Sequence, residues 1–426
     1  MSEALLKRVT WPMVFVAIAV TMVLAILVAR KSFAQPQQVG STNIPIALVG
    51  ERIYISPLVA PIENGVILIR DGKIAAVGKH AKADVPEGTG ELDCRGMYVM
   101  AGFQNSHVHF TQPIWNNAAK LPAAQLTQLL EMNLVRYGFT TVVDTGSDLA
   151  NTEAIRNRIN SGEVAGPRIL TSGSPLYPPN GFPYYLKNSI PEEIWKQLAQ
   201  PKTPAEAIRI VDERIADGAD IIKLFTGSWV AKGQAVTMPL DVAEAAVAEA
   251  HKHGKLVWAH PSNVAGFQIA LQAHVDVLAH AVEDLRGWKE SYLKRMKDQG
   301  MWMIPTLALF SHDSNIADIM EEVDDYADMH GPILFGTDAG FLPSFNPTDE
   351  YLILQRAGLT LNQILDSLTT APAKRLDESA TRGQIRVGME ADLVVLGKDP
   401  QQDISNLADV TYTFRQGRIV YSVSNQ

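Results

Sequence analysis

From about residue 97 onward, short apolar runs alternate with longer amphipathic stretches. The runs fall at residues 97–103, 138–144, 167–171, 219–225, 255–260, 275–280, 301–306 and 332–338. Between them, residues 123–136, 205–216 and 240–252 carry apolar positions at helical spacing. Apolar strands that alternate with helices imply a parallel sheet buried on both faces. Eight such units, ending near residue 376, predict an α/β fold built on a (β/α)8 barrel of the TIM type, typically about 250 residues long.

The two ends have a different pattern. Residues 46–49, 65–70 and 73–77 are β-type runs, and Asp71-Gly72 is a hairpin turn between the last two. Residues 391–396, 410–414 and 418–421 repeat the pattern at the other end, with Gly417 at a turn. Neither end holds enough strands to stand alone. Residues 44–96 and 382–424 are therefore expected to combine into one small β-sandwich domain beside a barrel of residues 97–381.

Before these lies a hydrophobic segment. Residues 11–29 carry no charge and sit between Lys7-Arg8 and Arg30-Lys31. As a helix they would span about 28 Å, close to a bilayer's hydrocarbon thickness. Ser32-Phe33-Ala34-Gln35 reads as a signal cleavage site after Ala34. Residues 1–34 are thus a signal peptide or a membrane anchor, and 35–43 a polar linker. Export to the periplasm or outside the cell, or anchoring through this segment, is the expectation.

Composition narrows the function. The 426 residues are 46% apolar and 19% charged, as in a globular enzyme. A net charge of −9 argues against a broad nucleic-acid surface. Cys94 is the lone cysteine, which excludes an intrachain disulfide or a thiolate cluster and suits an apolar filler in a strand. No P-loop, His-Glu-x-x-His helix, Gly-x-Ser-x-Gly elbow or dinucleotide fingerprint is present.

The candidate chemistry lies at the strand ends, where a barrel keeps its site. His107 and His109 end the first run, and residues i and i+2 of a strand point the same way. Lys223 lies within run four, and His260, His280 and Asp338 end runs five, six and eight. Lysine inside an apolar run is costly as an ammonium and tends to lose its charge. A neutral amine can add carbon dioxide, and the resulting carbamate has two oxygens able to bridge two metal ions. Four imidazoles, one carboxylate and such a bridge would suffice for two divalent ions, zinc being the default for a histidine-rich hydrolytic site. A hydroxide shared by the two ions would be the nucleophile. Asp338 could take its proton and pass it to the leaving group.

The ordered set closely resembles the amidohydrolase superfamily, in its binuclear form with a carboxylated lysine. The resemblance covers about residues 44–424. It includes Asp71-Gly72-Lys73-Ile74-Ala75-Ala76-Val77-Gly78, Met100-Ala101-Gly102-Phe103 before His-x-His, and Gly336-Thr337-Asp338-Ala339-Gly340. Ile222-Lys223-Leu224 and Ile304-Pro305-Thr306-Leu307 are similar to the imidazolonepropionase- and Xaa-Pro-dipeptidase-like branch. The resemblance implies His107, His109 and Asp338 on one metal, His260 and His280 on the other, and Lys223 as bridge. His260-Pro261-Ser262-Asn263 and Ala279-His280-Ala281 depart from the neighbours that relatives often carry, which leaves the substrate open.

The expected activity is hydrolysis of a C–N bond, amide or peptide-like, in a small molecule, by a chain that could self-associate. The same site could instead open a lactone, cyclic amide or phosphotriester. A non-catalytic binding protein on an old hydrolase barrel is the reading from another class. Tyr184, Tyr185, Trp229, Phe310 and Phe341 lie on the loops after strands and either line a substrate pocket or pack those loops. His312 is a further candidate for substrate contact. Asp144, at the end of the second run, is either a support for a metal ligand or a helix cap.

Overall fold

The computed structural model describes residues 45–79, 85–187, 190 and 192–423. The N-terminal hydrophobic segment and the linker lie outside the described residues. No helix among the described residues is long and apolar enough to cross a membrane.

The chain opens with four strands, β1 (Ile46–Tyr54), β2 (Ile62–Arg70), β3 (Lys73–Lys79) and β4 (Gly90–Ala101). Asp71 and Gly72 both take positive φ, 51° and 75°, as the two-residue hairpin between β2 and β3 requires. After Gly102 the chain enters the barrel through β5 (Phe103–Val108), β6 (Phe139–Asp144), β7 (Arg168–Thr171) and β8 (Ile222–Phe225). A short hairpin, β9 (Gly227–Ala231) and β10 (Gln234–Thr237), follows. The barrel resumes with β11 (Val257–His260), β12 (Val277–Ala279) and β13 (Trp302–Ile304). The chain closes with β14 (Leu393–Leu396), β15 (Val410–Arg415) and β16 (Arg418–Ser422).

The strands of the two chain ends, expected as a β-sandwich, form one sheet ordered β16-β15-β14-β4-β1-β2-β3. Leu48, Ile67, Ile74, Cys94, Val99, Leu393, Val395 and Phe414 share one apolar cluster. The edge strand β3 is covered by the segment before β14, because Ile74 N–H donates to Met389 O and Ala391 N–H to Gly72 O. Pairing that edge removes a row of free backbone groups. Cys94 is a core side chain, its thiol pushed up to about 12 by burial.

The middle of the chain is an α/β barrel. Parallel pairing joins β5-β6-β7 and β8-β11-β12-β13. A parallel bridge between Leu176 and Leu224, with Asp220 N–H donating to Thr171 O, links the two sets. Residues 332–338 were expected as the eighth strand. They fill that position without regular strand geometry. Met303 bridges Ile333, Ser106 N–H donates to Phe335 O, and Thr337 and Asp338 N–H both donate to His107 O. At the segment's last residue Asp338 adopts φ 55°, which turns the chain there. Gly336 permits this closure, since a Cβ there would meet Ile304 and His107.

The strands' alternation separates two cores. Ile169, Ile222, Leu224, Val257, Ala259 and Leu278 pack in the large cluster that includes the surrounding helices. Val143, Leu170, Ile221, Trp258, Val277 and Ile304 form a second, smaller one. Lys223 follows the parity of Ile221, and His260 that of Trp258, so both side chains leave their strands on the face of the smaller core. The helices Pro204–Ala216 and Leu240–Lys252 match the amphipathic stretches. The first stretch yields a helix at Ala123–Asn133 and then a 3-10 turn at Val135–Tyr137. Gly138, at φ 83°, ends that turn.

Candidate metal and active site

The six residues singled out at the strand ends converge. Nε2 of His107 and of His109 lie 3.3 Å and 2.9 Å from Asp338 Oδ1. One ligand atom from each of these three residues falls within 4.8 Å of the others. The His107 and His280 rings are 4.5 Å apart at their centroids, and the His260 and His280 rings 4.7 Å. Lys223 is 2% exposed and His107 0%. Buried atoms here lack partners: both ring nitrogens of His107, Lys223 Nζ and Asp338 Oδ1 have no hydrogen bond. Buried polar groups are normally paired, and an unpaired one costs about 1–3 kcal/mol. Converging, unpaired nitrogen and oxygen donors are the arrangement a divalent ion fits, with ligand distances of about 2.0–2.2 Å.

The surroundings choose the tautomers of three rings. His109 Nδ1 lies 3.0 Å from Gly146 O, which can only accept, so Nδ1 carries the proton and Nε2 keeps its lone pair. His280 Nδ1 lies 2.7 Å from Thr306 Oγ1. That hydroxyl already donates to Pro305 O, so it accepts from Nδ1–H and leaves the lone pair on Nε2. His260 Nε2 lies 3.0 Å from Ser262 Oγ, which in turn donates to Gly227 O, so this ring keeps its lone pair on Nδ1. Each ring therefore has one nitrogen committed and one available, as metal-ligating histidines usually do. Phe225 stacks on His260 at 4.4 Å and holds its plane.

Four of the twelve non-glycine residues with positive φ among the described residues lie here. Ser262, His280, Thr306 and Asp338 all have positive φ, between 48° and 91°. Such conformations cost of order 1–3 kcal/mol each and persist where surrounding contacts impose them. Asn105 supplies some of those contacts: its Nδ2 donates to Thr337 Oγ1 at 2.8 Å, and its Oδ1 accepts from the N–H of His107 and Thr337. Glu350 supplies others, accepting from Leu307 and Ala308 N–H just beyond Thr306.

Asp144 resolves into a support rather than a cap. Its carboxylate accepts from Ser147 Oγ, Thr152 Oγ1, Thr171 Oγ1 and Gly146 N–H. It thereby fixes the Gly146 carbonyl against His109. The helix Leu149–Asn160 is capped instead by Asp148, which accepts from Asn151 N–H.

Charge follows burial. Desolvation lowers the Lys223 amine to about 7, against a partial opposing pull from Asp338. Burial, and then the neighbouring Lys223, hold His107 and His260 well below the imidazole range. His280 is lowered by burial and then by His260. For His109, burial lowers the pKa, but the Asp338 carboxylate outweighs it and the net shift is upward.

The candidate substrate residues divide. Tyr184 and Tyr185 meet at 5.7 Å, and Tyr185 meets Phe341 at 5.6 Å, joining the loops after β7 and after the eighth segment. Trp229 is 8% exposed, and its indole N–H donates to Glu283. Phe310 packs edge-on near His280 at 6.4 Å. His312 is exposed and is not brought into this group. Sequence reading missed Thr306, Ser262, the Gly146 carbonyl and Glu350. Only Thr306 had a signal, because it directly follows Pro305 at the end of a strand.

The sequence profile of the amidohydrolase family matches residues 98–420. The chain belongs to that family, and it is a hydrolase acting on carbon–nitrogen bonds. Members generally use divalent metal ions, which the His107, His109 and Asp338 group fits. Among curated proteins, ochratoxinase of Aspergillus niger is 24% identical over 419 residues, covering 84% of this chain and 83% of that protein. Among solved structures, a Xaa-Pro dipeptidase with bound methionine superposes with a TM-score of 0.77 at 24% identity, over 89% of this chain and 100% of the other. Molinate hydrolase gives 0.74 at 21% identity, over 88% and 94%.

Proposed function

We propose that this amidohydrolase cleaves amide or peptide-like bonds of a small molecule with two divalent metal ions, zinc by default, and a carboxylated Lys223 between them. The observation that carries the reading is the set of tautomer-fixed rings around an unpartnered, buried Lys223 amine. His107, His109 and Asp338 would hold one ion, and His260 and His280 the other. The neutral Lys223 amine would add carbon dioxide and release one proton, and the resulting carbamate would offer two oxygens as metal ligands. When bound, the ions supply Lewis acidity toward the scissile carbonyl and acidify water at neutral pH.

The chain's own residues do the rest. Asp338 sits against both His107 and His109, where it can receive a proton and return it to the leaving nitrogen. Thr306, Ser262 and Gly146 hold the rings in register. The Tyr184, Tyr185 and Phe341 rings contact one another, and Tyr185 lies within electrostatic reach of Asp338, which makes them candidates for the substrate's surroundings. The Xaa-Pro dipeptidase neighbour, with methionine bound in its active site, supports peptide-like substrates.

The test is elemental analysis of protein lacking residues 1–34, beside Lys223→Ala, after reconstitution with zinc and bicarbonate. Near two equivalents in the parent, falling sharply in the variant, is the expected result, followed by turnover in a panel of amides and dipeptides. One equivalent in both proteins would refute the bridge.

A further inference from the structure

Glu283 lies three residues beyond His280, on the loop after β12, and its placement is over-determined. Its Oε2 accepts from Trp229 Nε1–H at 2.7 Å, and its backbone carbonyl accepts from Asn315 Nδ2 at 2.7 Å. Trp229 stands on β9, six residues beyond Lys223. Three segments that leave metal-site strands or the strand between them thus meet at this one residue, Trp229 at its side chain and Asn315 at its backbone carbonyl.

Its charge is not neutralised. Among the described residues, no cation lies within ion-pair distance of Glu283, and its second oxygen accepts no hydrogen bond. The contrast with its neighbour is direct, for Asp284 is chelated by Arg286. The other charged groups that Glu283 feels, Asp284 and Asp313, are also acidic. The side chain is half-buried rather than sealed. The Tyr185 phenol is held up by burial, by Tyr177, and by the carboxylates of both Asp338 and Glu283, so one aromatic residue lies within electrostatic reach of the metal site and of this acid.

We infer that Glu283 is a specificity residue that receives a positively charged amine of the substrate, with the Trp229 indole beside it. The substrate class is then amides carrying an ammonium group near the scissile bond, as in aminoacyl amides and dipeptides with a free amino end. This rests on the hydrolase reading of the same site. Burial raises the pKa of the Glu283 carboxyl and the Trp229 indole N–H partly offsets this, so an arriving ammonium supplies the missing counter-charge; the indole N–H fixes the carboxylate's orientation with one oxygen free, and aromatic faces add cation–π attraction. A substrate carboxylate at the same place would meet like charge.

The experiment uses zinc- and bicarbonate-loaded protein and two probes of one scaffold, L-phenylalaninamide and 3-phenylpropanamide. Binding is measured by calorimetry, and ammonia release is followed separately. The ammonium probe should bind roughly 10- to 100-fold more tightly, the range of a charge-assisted hydrogen bond. Glu283→Gln keeps an acceptor for Trp229 and should collapse that ratio toward one, with metal content retained. Trp229→Phe should reduce the ratio partway. Equal affinities in the parent, a ratio that survives Glu283→Gln, or no saturable binding of L-phenylalaninamide would each overturn the inference. A ratio that depends on Glu283 without ammonia release keeps the subsite and sinks amide hydrolysis of these probes. Ammonia release without a ratio does the reverse.

Discussion

Replacing Thr306 with valine tests whether the tautomer lock on His280 matters for metal binding. The substitution keeps the volume and the branched Cβ at φ 48°, so the backbone is asked for nothing new. It removes Oγ1, the acceptor 2.7 Å from His280 Nδ1. Pro305 O loses one donor but still accepts from Ala281 N–H. The ring N–H is left buried and unpaired, a cost of about 1–3 kcal/mol. The ring is also free to move its proton to Nε2, the nitrogen the metal needs. Removing the partner of a ligating histidine typically weakens metal binding about 10- to 100-fold. Thr306→Val should therefore raise the zinc dissociation constant by that factor in chelator competition, with chemical-denaturation stability lower by about 1–3 kcal/mol. Thr306→Ser restores the hydroxyl at the loss of one methyl and should recover most of the affinity. A valine variant that binds zinc as tightly as the parent, or a serine variant as weak as the valine, would refute the reasoning.

Three further outcomes follow from other parts of the fold. Burial raises the Glu322 carboxyl to about 8, and its Oε1 has no partner while Oε2 accepts from Val282 N–H. The folded protein thus holds a proton there that the unfolded chain releases near pH 4.5, so this group's share of stability is present below that pH and is lost as pH rises toward about 8. Glu322→Gln should flatten the fall of Tm between pH 5 and pH 9 in scanning calorimetry, and an unchanged slope would show that the group does not titrate there. Asn263 caps the helix Val264–Gln272 by accepting from Gly266 N–H at 2.9 Å. Asn263→Ala should cost about 1 kcal/mol in urea unfolding, and no change would contradict the cap. Phe335 is fully buried between Phe139 and Tyr351, with ring centroids 6.1 Å and 5.0 Å away. Phe335→Ala should cost about 3–5 kcal/mol in the same assay, the range for truncating a fully buried phenylalanine. A loss below 1 kcal/mol would mean the segment collapses freely.

Much of this protein was legible in its sequence, because the relevant signals are local and periodic. Apolar runs separated by amphipathic stretches dictate buried parallel strands and covering helices. Asp71-Gly72 dictates a hairpin. His107, His109, Lys223, His260, His280 and Asp338 were recognisable because barrel topology brings every strand end to one face, so order along the chain became proximity in space. What sequence could not determine depends on the angle at which each end arrives. Positive φ at His280, Thr306 and Asp338 re-aims side chains against the strand alternation that a pattern assumes. Thr306, Ser262 and the Gly146 carbonyl act on rings from other loops, or from two residues along the same one. A hydroxyl or a carbonyl carries no pattern until a partner stands within 3 Å. The eighth segment shows the same limit: its residues read as a strand, but they close the barrel through irregular pairing and end in a turn at Asp338. Glu283 is the clearest case. In sequence it is one acid beside another, and only the fold pairs Asp284 with Arg286 and sets Glu283 against Trp229 with its charge unspent. Periodicity determines which residues lie inside and on which element, whereas hydrogen-bond partners and charge balance belong to distances across the chain that only tertiary packing decides.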